Sequence, residues 1–329
     1  MTFEITNAPR AIVCLLVGLW LAPAHSQNSV QGYPSKPIRI LVPFAPGGGA
    51  DLMARLIVPR MSEHLKQTVV MDNRPAASGV VATDLAAHAT PDGYTMLVMT
   101  SSHAAYRWMY KKLSFDPLKD FEFVTQATLS PLVVVLHPSV PANNLQEFIN
   151  YTRANPGKVN YGSSGPGGPP HLAGEMLKMM AKINMTHVVY KGVAPAITAL
   201  LSNEVQLSFT NVFSGQPHIK SGRLRILGIT SLKRLQGAPD WPTISEAGVP
   251  GYEASIWYGF VLPAKTPKAI VATLHSEITG ILNLPEVRKT FESQGGEVIA
   301  SKSQDFAKNF SMDQDRLGKV IKAAGITAE

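Results

Sequence analysis

Two stretches of this chain carry one device twice. In the first, Ile38 to Phe44 is nearly continuous in apolar residues, Ala45-Pro46-Gly47-Gly48-Gly49 follows, and a helical pattern opens at Ala50. In the second, Val159-Asn160-Tyr161 leads into Gly162-Ser163-Ser164-Gly165-Pro166-Gly167-Gly168-Pro169-Pro170 and a helix from His171. Buried strand, glycine loop and helix is the sequence of an open α/β sheet, in which ligands sit at the carboxyl ends of strands. The N–H groups that open a helix have no intrahelical partner, so they face an anion favourably. A carboxylate suits such a place because it accepts up to about four hydrogen bonds and the helix dipole favours its charge. One such loop could serve only to reverse the chain, whereas two in separate halves suggest a pair of jaws.

Around the loops, short β-rich runs alternate with amphipathic stretches, which predicts an α/β protein with largely parallel strands. The first helix, about Ala50 to Leu65, is expected to bury Leu52, Leu56, Pro59 and Met61. Val69 to Met71 reads as a strand ended by Asn73-Arg74-Pro75, and residues 76–90 as a helix. Tyr94 to Met99 reads as a strand running into the hydroxyl cluster Thr100-Ser101-Ser102-His103. Phe121 to Thr128 and Leu132 to His137 read as two extended runs parted by Ser130-Pro131, where the chain crosses to a second lobe. Leu172, Met176, Met179 and Ile183 are spaced to form the buried side of the helix after His171. Ser255 to Leu262 reads as the return crossing, after which helices near 267–283, 285–293 and 303–323 pack outside the first lobe. The expected organisation is a leader at 1–26, a first lobe from 27–130 and 255–329, a second lobe at 131–254, and a cleft between them. Closure of such lobes over a ligand is a hinge motion.

Residues 1–26 have the form of a secretory leader: Arg10, the apolar run Ala11 to Leu21, then Ala22, Ala24 and Ser26. Cleavage is expected after Ser26, with Ala24 as the alternative, because the run is shorter than the roughly 18 to 20 apolar residues that span a bilayer. The chain's one cysteine, Cys14, lies inside it, so the exported protein would rely on packing without disulfides. The formal net charge of +7 comes without a basic run of five or more residues, which favours a general attraction to anions over a nucleic-acid face.

Catalytic patterns are weak by comparison. Gly162-Ser163-Ser164-Gly165 lacks the Gly-x-Ser-x-Gly spacing of a nucleophile elbow, although an exported hydrolase using Ser163 or Ser164 is the rival reading. His103, His137, His171 and His187 show no metal-ligand spacing, and Gly47-Gly48-Gly49 matches neither a phosphate loop nor a dinucleotide fingerprint. Neither a metal nor a cofactor is expected. Asp51, beside the first helix entrance, is expected to cap the helix or bond back to the loop, with direct ligand contact as the alternative. His171 is expected to cap or pack, with a ligand-side role as the alternative, and Lys191 would place a cation near the cleft or stand exposed before a turn.

Six motifs then occur in order: Val42-Pro43-Phe44-Ala45-Pro46-Gly47-Gly48, Asn73-Arg74-Pro75, Pro91-Asp92-Gly93-Tyr94, Tyr161-Gly162-Ser163-Ser164-Gly165, His187-Val188-Val189-Tyr190-Lys191-Gly192 and Pro242 to Tyr252. Together they resemble the Bug family, the TctC-like periplasmic solute receptors of tripartite tricarboxylate transporters, over essentially the whole exported chain. The resemblance implies a two-lobed, type II-like periplasmic binding protein fold with two crossing strands, a small carboxylate ligand, a membrane permease as partner and no catalysis. The ligand would be a dicarboxylate, tricarboxylate, aromatic acid or amino acid, and the receptor a monomer; a sensor kinase is the alternative partner. The resemblance also implies that Pro46 to Asp51 and Ser163 to Gly168 act as pincers on one carboxylate. Pro46, Gly47, Gly48, Asp51, Ser163, Ser164, Gly165 and Gly167 are thus the expected proximal contacts. Ser101 and Asn211 would serve the distal end, while Thr100, His103, Phe209 and Phe213 are candidates by position. The chain departs from the family at Ala76-Ala77-Ser78-Gly79, where relatives run Gly-Ala-Gly-Gly, which puts that part of the cleft rim in question.

Overall fold

The computed structural model of the chain describes residues 1–2, 32–76, 79–190, 192–293 and 295–327. The expected leader, beyond its first two residues, and Lys191 lie outside the described residues. So does the side chain of Phe213.

The chain opens as β1 (Ile38–Val42), α1 (Gly49–Leu65), β2 (Val69–Asn73), α2 (Val80–Ala87), β3 (Thr95–Thr100) and α3 (Ser102–Met109). The long strand β4 (Phe121–Leu136) leads to α4 (Leu145–Ala154), β5 (Asn160–Ser163), α5 (Pro169–Ala181), β6 (Thr186–Val189), α6 (Val193–Leu201), β7 (Leu207–Asn211), α7 (Val212–Lys220) and β8 (Arg225–Ile229). The return strand β9 (Ser255–Pro263) precedes α8 (Lys268–Leu282), α9 (Pro285–Ser293), β10 (Glu297–Val298) and α10 (Ser303–Ala324). The strands lie in the order β2-β1-β3-β9-β4-β7-β5-β6, with β8 and β10 also paired to β4. Neighbours are parallel within each half, at β2-β1-β3 and β7-β5-β6, and antiparallel along the crossing strands β3-β9-β4-β7.

Register positions the cleft. Thr100 ends β3 opposite Tyr258, which in turn faces Thr128 on β4. Asn211 ends β7 opposite Leu132 on β4, running in the other direction. The carboxyl ends of the two halves therefore point at each other across the stretch of β4 between residues 128 and 132, roughly 13 Å of extended chain.

Ser130 and Pro131 do not interrupt this strand as the sequence suggested, and β4 passes through them. Pro131 stands opposite Ser255 at the end of the β9 ladder, and the next residue already pairs with β7. Its missing N–H falls where the strand changes partners, a place that tolerates proline. Leu132 N–H is satisfied by Thr230 Oγ1 at 2.7 Å.

The first half buries Ile38, Ile40, Val42 and Met96 against Met53 and Ile57 of α1 and Leu274 and Ile278 of α8. Its opposite face buries Leu41, Leu97 and Val261 with Tyr106, Phe306 and Phe310. Each side chain of this size is worth roughly 1.5–3 kcal/mol when fully buried. The inward stripe of α1 is Met53, Ala54, Ile57, Val58 and Met61, one position away from the expected Leu52-Leu56-Pro59 side. The helix begins at Gly49, and the stripe that faces β1 follows from that start. Met179 of α5 is likewise 46 % exposed, while Ala173, Met176 and Leu177 face inward.

Helix α2 is shorter than residues 76–90 suggested, starting after Gly79 at φ +96°. Helices α3 and α7 went unforeseen because the hydroxyl cluster opens α3, and Gly215 and Pro217 interrupt the pattern of α7. In fact Gly215 lets α7 lie on Val133, whose Cγ2 would be 2.8 Å from an added Cβ. The last helix also differs from expectation. Phe306 and Phe310 of α10 pack in the first half and Val320 packs in the second, so α10 spans both lobes.

Candidate functional site

Both helix entrances are built on glycine N-caps without a side-chain cap, Gly48 for α1 and Gly168 for α5. In each, the third helical residue reaches back to the residue before the cap. Gly47 N–H donates to Asp51 Oδ2 at 2.9 Å, and Gly167 N–H donates to His171 Nδ1 at 2.9 Å. The flanking turns match as well: Gly48 N–H to Ala45 O and Gly168 N–H to Gly165 O, each 3.4 Å. This is a variant of the capping box, in which a side chain on the first turn secures an otherwise unpaired N–H. The sequence carried a signal for it, since Pro46-Gly47-Gly48-x-x-Asp51-Leu52 aligns with Pro166-Gly167-Gly168-x-x-His171-Leu172.

Asp51 is 1 % exposed and also accepts from Arg55 Nε at 2.8 Å and Asn73 Nδ2 at 3.1 Å. Burial pushes its carboxyl upward, but the bonds from Arg55, Gly47 N–H and Asn73 outweigh this and hold it below the usual carboxylate range. Asn73 Nδ2 bonds Phe44 O as well, at 3.0 Å, so Asn73 fastens the loop from the neighbouring strand. Asp51 thus bonds back to its loop, as its position suggested.

The second loop rests on an aromatic stack. The rings of His171 and His187 lie 3.8 Å apart at 8°, and Tyr161 stacks on His187 at 4.9 Å. Tyr161 O–H donates to Glu175 Oε1 at 2.6 Å, and Lys178 Nζ reaches the same oxygen at 2.8 Å. Ser163 Oγ lies 3.1 Å from Gly165 O and 2.6 Å from His187 Nε2, and the imidazole tautomer decides which of the two accepts its proton. Burial holds both imidazoles at about 4. The sequence treated His187 as scattered; its place opposite Tyr161 comes from the β5-β6 register.

The two loops differ in what they leave free. Gly47 and Gly48 spend their N–H groups inside the first loop, so the groups without an acceptor among the described residues are those of Gly49, Ala50 and Asp51. The expectation of several free donors is corrected for the second loop. Pro166, Pro169 and Pro170 have no N–H, Gly165 N–H goes to Ser163 Oγ, and Gly167 and Gly168 are committed as described. Ser164, half-buried, keeps its hydroxyl and N–H unpaired among the described residues.

One neighbouring side chain had no mark in the sequence. Tyr258 of β9 places its hydroxyl so close to Gly49 that any side chain there would collide with it. That hydroxyl makes no hydrogen bond with the described residues, and burial raises its pKa, so it remains a proton donor beside the α1 entrance. From the other side, Met109 of α3 stands so close to Gly167 that a side chain there would collide with it.

The remaining candidates separate. Ser101 is 5 % exposed and its Oγ has no hydrogen-bond partner among the described residues; with Leu132, Pro169, Leu172 and Arg316 it lines an interlobe cavity of about 30 Å³. Asn211 caps α7, its Oδ1 accepting from Ser214 N–H at 2.7 Å. His103 and Phe209 are corrected from cleft to core. His103 is fully buried with Nδ1 3.1 Å from Thr100 N, its pKa driven down to about 3 by burial, and Phe209 packs edge-on against Tyr161. Thr100 is 2 % exposed, its hydroxyl 3.3 Å from that same nitrogen. Among the described residues no cluster of His, Cys, Asp or Glu could hold a metal ion, and no helix is long and apolar enough to cross a membrane.

Residues 53–326 match the family model described as "Tripartite tricarboxylate transporter family receptor". Among solved structures, Rpa4515 of R. palustris with adipate is 34 % identical at a TM-score of 0.84, covering 90 % of this chain and 99 % of that one. The periplasmic binding protein BugD is 31 % identical at 0.81, with 90 % and 99 % covered. MatC from Rhodopseudomonas palustris with bound malate is 29 % identical at 0.79, with 88 % and 100 % covered. With its paired helix entrances facing one cleft of a two-lobed α/β fold, the chain belongs to the tripartite tricarboxylate transporter receptor family.

Proposed function

We propose that this receptor closes its lobes on a small carboxylate in the periplasm and presents it to a membrane permease. The observation that carries this reading is the N–H row of Gly49, Ala50 and Asp51, unpaired among the described residues and beside the Tyr258 hydroxyl, which has no partner among them either. One carboxylate of the ligand would take these donors, with Ser164 closing from the other lobe. The adipate and malate bound by the two similar receptors favour a dicarboxylate over an aromatic acid or amino acid. Ser101 and Asn211 stand at the ends of β3 and β7, where a distal group would lie. We place the leader at 1–26 and the lobes at 27–130 with 255–329, and 131–254, because β4 changes partners after Pro131 and β9 starts at Ser255. The receptor works as a monomer and turns nothing over. Ser163 is 1 % exposed, which argues against a hydroxyl open to a substrate carbonyl.

A thermal-shift panel of adipate, malate, citrate, benzoate and glutamate tests this. At about 100 times its dissociation constant, a ligand adds roughly 2.7 kcal/mol, which is about 4 °C for a chain of this size. No shift with any acid overturns the reading, as would release of acid from acyl esters by the same preparation. Tyr258→Phe removes one donor to a charged group, worth ~1.5–3 kcal/mol, so it should weaken the best acid by about 10- to 100-fold without moving the unliganded melting temperature downward. Calorimetric titration reads this directly, and unchanged affinity would remove Tyr258 from the site.

A further inference from the structure

The two jaws are closed by the same bond from the same helical position, but with different chemistry. Asp51 holds Gly47 N–H in the first, and His171 holds Gly167 N–H in the second. We infer that His171 is a positioning residue of the carboxylate site: its unprotonated Nδ1 keeps the Gly165 to Gly168 turn in binding shape and makes the second jaw sensitive to acid. The inference rests on the reading that these loops hold a carboxylate.

Gly167 N–H has His171 Nδ1 as its acceptor, and the turn it belongs to is unusual backbone, with Gly165 at φ +151° and Gly167 at φ +67°. The carbonyl of Gly165 receives Gly168 N–H and lies 3.1 Å from Ser163 Oγ, so the turn and the strand end that presents Ser164 are fastened together. An imidazolium has donors on both nitrogens and no acceptor. Protonation of His171 therefore sets two donors against each other at 2.9 Å, and the turn must give. The His187 contact behaves otherwise, because its partner is a hydroxyl, which can accept from an imidazolium as well as donate to a neutral ring.

The groups acting on the pair reinforce the neutral state. His187 lies 3.8 Å from His171 face to face, Lys178 adds repulsion from α5, and Glu175 is already bonded by Lys178 and by Tyr161 of β5. Burial first and Lys178 second hold His171 at about 4, so Nδ1 accepts throughout the neutral range and is lost as pH falls through about 4. In the first jaw Asp51 is held ionised below the usual range by its partners, and even a protonated carboxyl keeps an oxygen that accepts. A neutral bracket also suits the second jaw electrostatically. Asp51 has Arg55 at 2.8 Å, whereas a carboxylate at position 171 would bring uncompensated negative charge toward the anion.

The test compares wild type, His171→Leu and His171→Asn by calorimetry at pH 7 with adipate and malate, after the panel above. Asn Oδ1 falls near the place of Nδ1 and can accept from Gly167 N–H without titrating. His171→Leu should weaken the bound acid at least 10-fold, and His171→Asn should restore it to within about threefold. Between pH 5 and 3.5 wild type should lose about fourfold more affinity than His171→Asn, the proportion expected when one proton at about 4 removes the competent state. The ligand's own titration is common to both proteins and cancels. Urea midpoints of the unliganded variants separate misfolding from loss of positioning. Wild-type affinity in His171→Leu, or failure of His171→Asn to restore binding while folded, overturns the inference. Failure of wild type to bind any acid overturns the site reading itself.

Discussion

Gly48→Val is expected to abolish carboxylate binding, by at least about 100-fold, while leaving the protein folded. The backbone at Gly48 is extended, φ −79° and ψ 165°, a region that β-branched residues adopt without strain. A Cβ added there meets only Ala45 O, at 3.6 Å, which is ordinary contact. The side chain would then project into the space in front of the α1 N-terminus, and a ligand oxygen could no longer reach the N–H groups of Gly49 and Ala50. Two or more charge-assisted hydrogen bonds lost together, each worth ~1.5–3 kcal/mol, account for the size of the effect. Equilibrium titration with the best acid of the panel measures it, and circular dichroism with a urea midpoint checks the fold. Wild-type affinity in a folded Gly48→Val protein would remove the first loop from the site. Gly47 could not serve for this test, because its φ of +86° makes any side chain strained whatever the ligand does.

Asp51→Ala is expected to cost about 3 kcal/mol of stability and to weaken binding as a consequence. The carboxylate is 1 % exposed and joins three segments: Gly47 of the loop, Arg55 of the helix and Asn73 of the next strand. Removing it leaves Gly47 N–H and one Asn73 donor unpaired, and a group left unsatisfied in this way typically costs about 1–3 kcal/mol. The pH dependence follows from the direction of its shift. Since the folded carboxyl lies below its unfolded value, its contribution is fully present above that unfolded value and fades as pH falls through the folded one. Wild type should therefore lose more stability than Asp51→Asn on acidification below about pH 4. Urea midpoints across pH read both effects; equal stability of wild type and Asp51→Ala at pH 7 would show that the loop stands without its bracket.

Much of this candidate site is legible in the sequence. The glycine loops, their attachment to helix N-termini and the return crossing at Ser255 follow from local rules, because strand, turn and helix signals act over a few residues. The β4 and α1 errors share one origin. By propensity Pro131 reads as a break, and by hydrophobicity Leu52 and Leu56 read as buried, while the partner strand and the packing against β1 and α8 decide both. His187 and Tyr258 escaped notice for a related reason, as each sits on a strand distant in sequence from the loop it touches.

The sequence by itself determined that this chain has two glycine-rich helix entrances, the second of them short of N–H groups at Pro166, Pro169 and Pro170, since these are properties of the backbone near the loop. Only the tertiary structure decided which of those donors remain free. Asp51 and His171 consume the N–H groups of Gly47 and Gly167 that the sequence had offered, and Tyr258 adds a donor from β9. Hydrogen bonds are shared out among all the groups that packing brings within reach, and that distribution is settled by register between strands far apart in the chain.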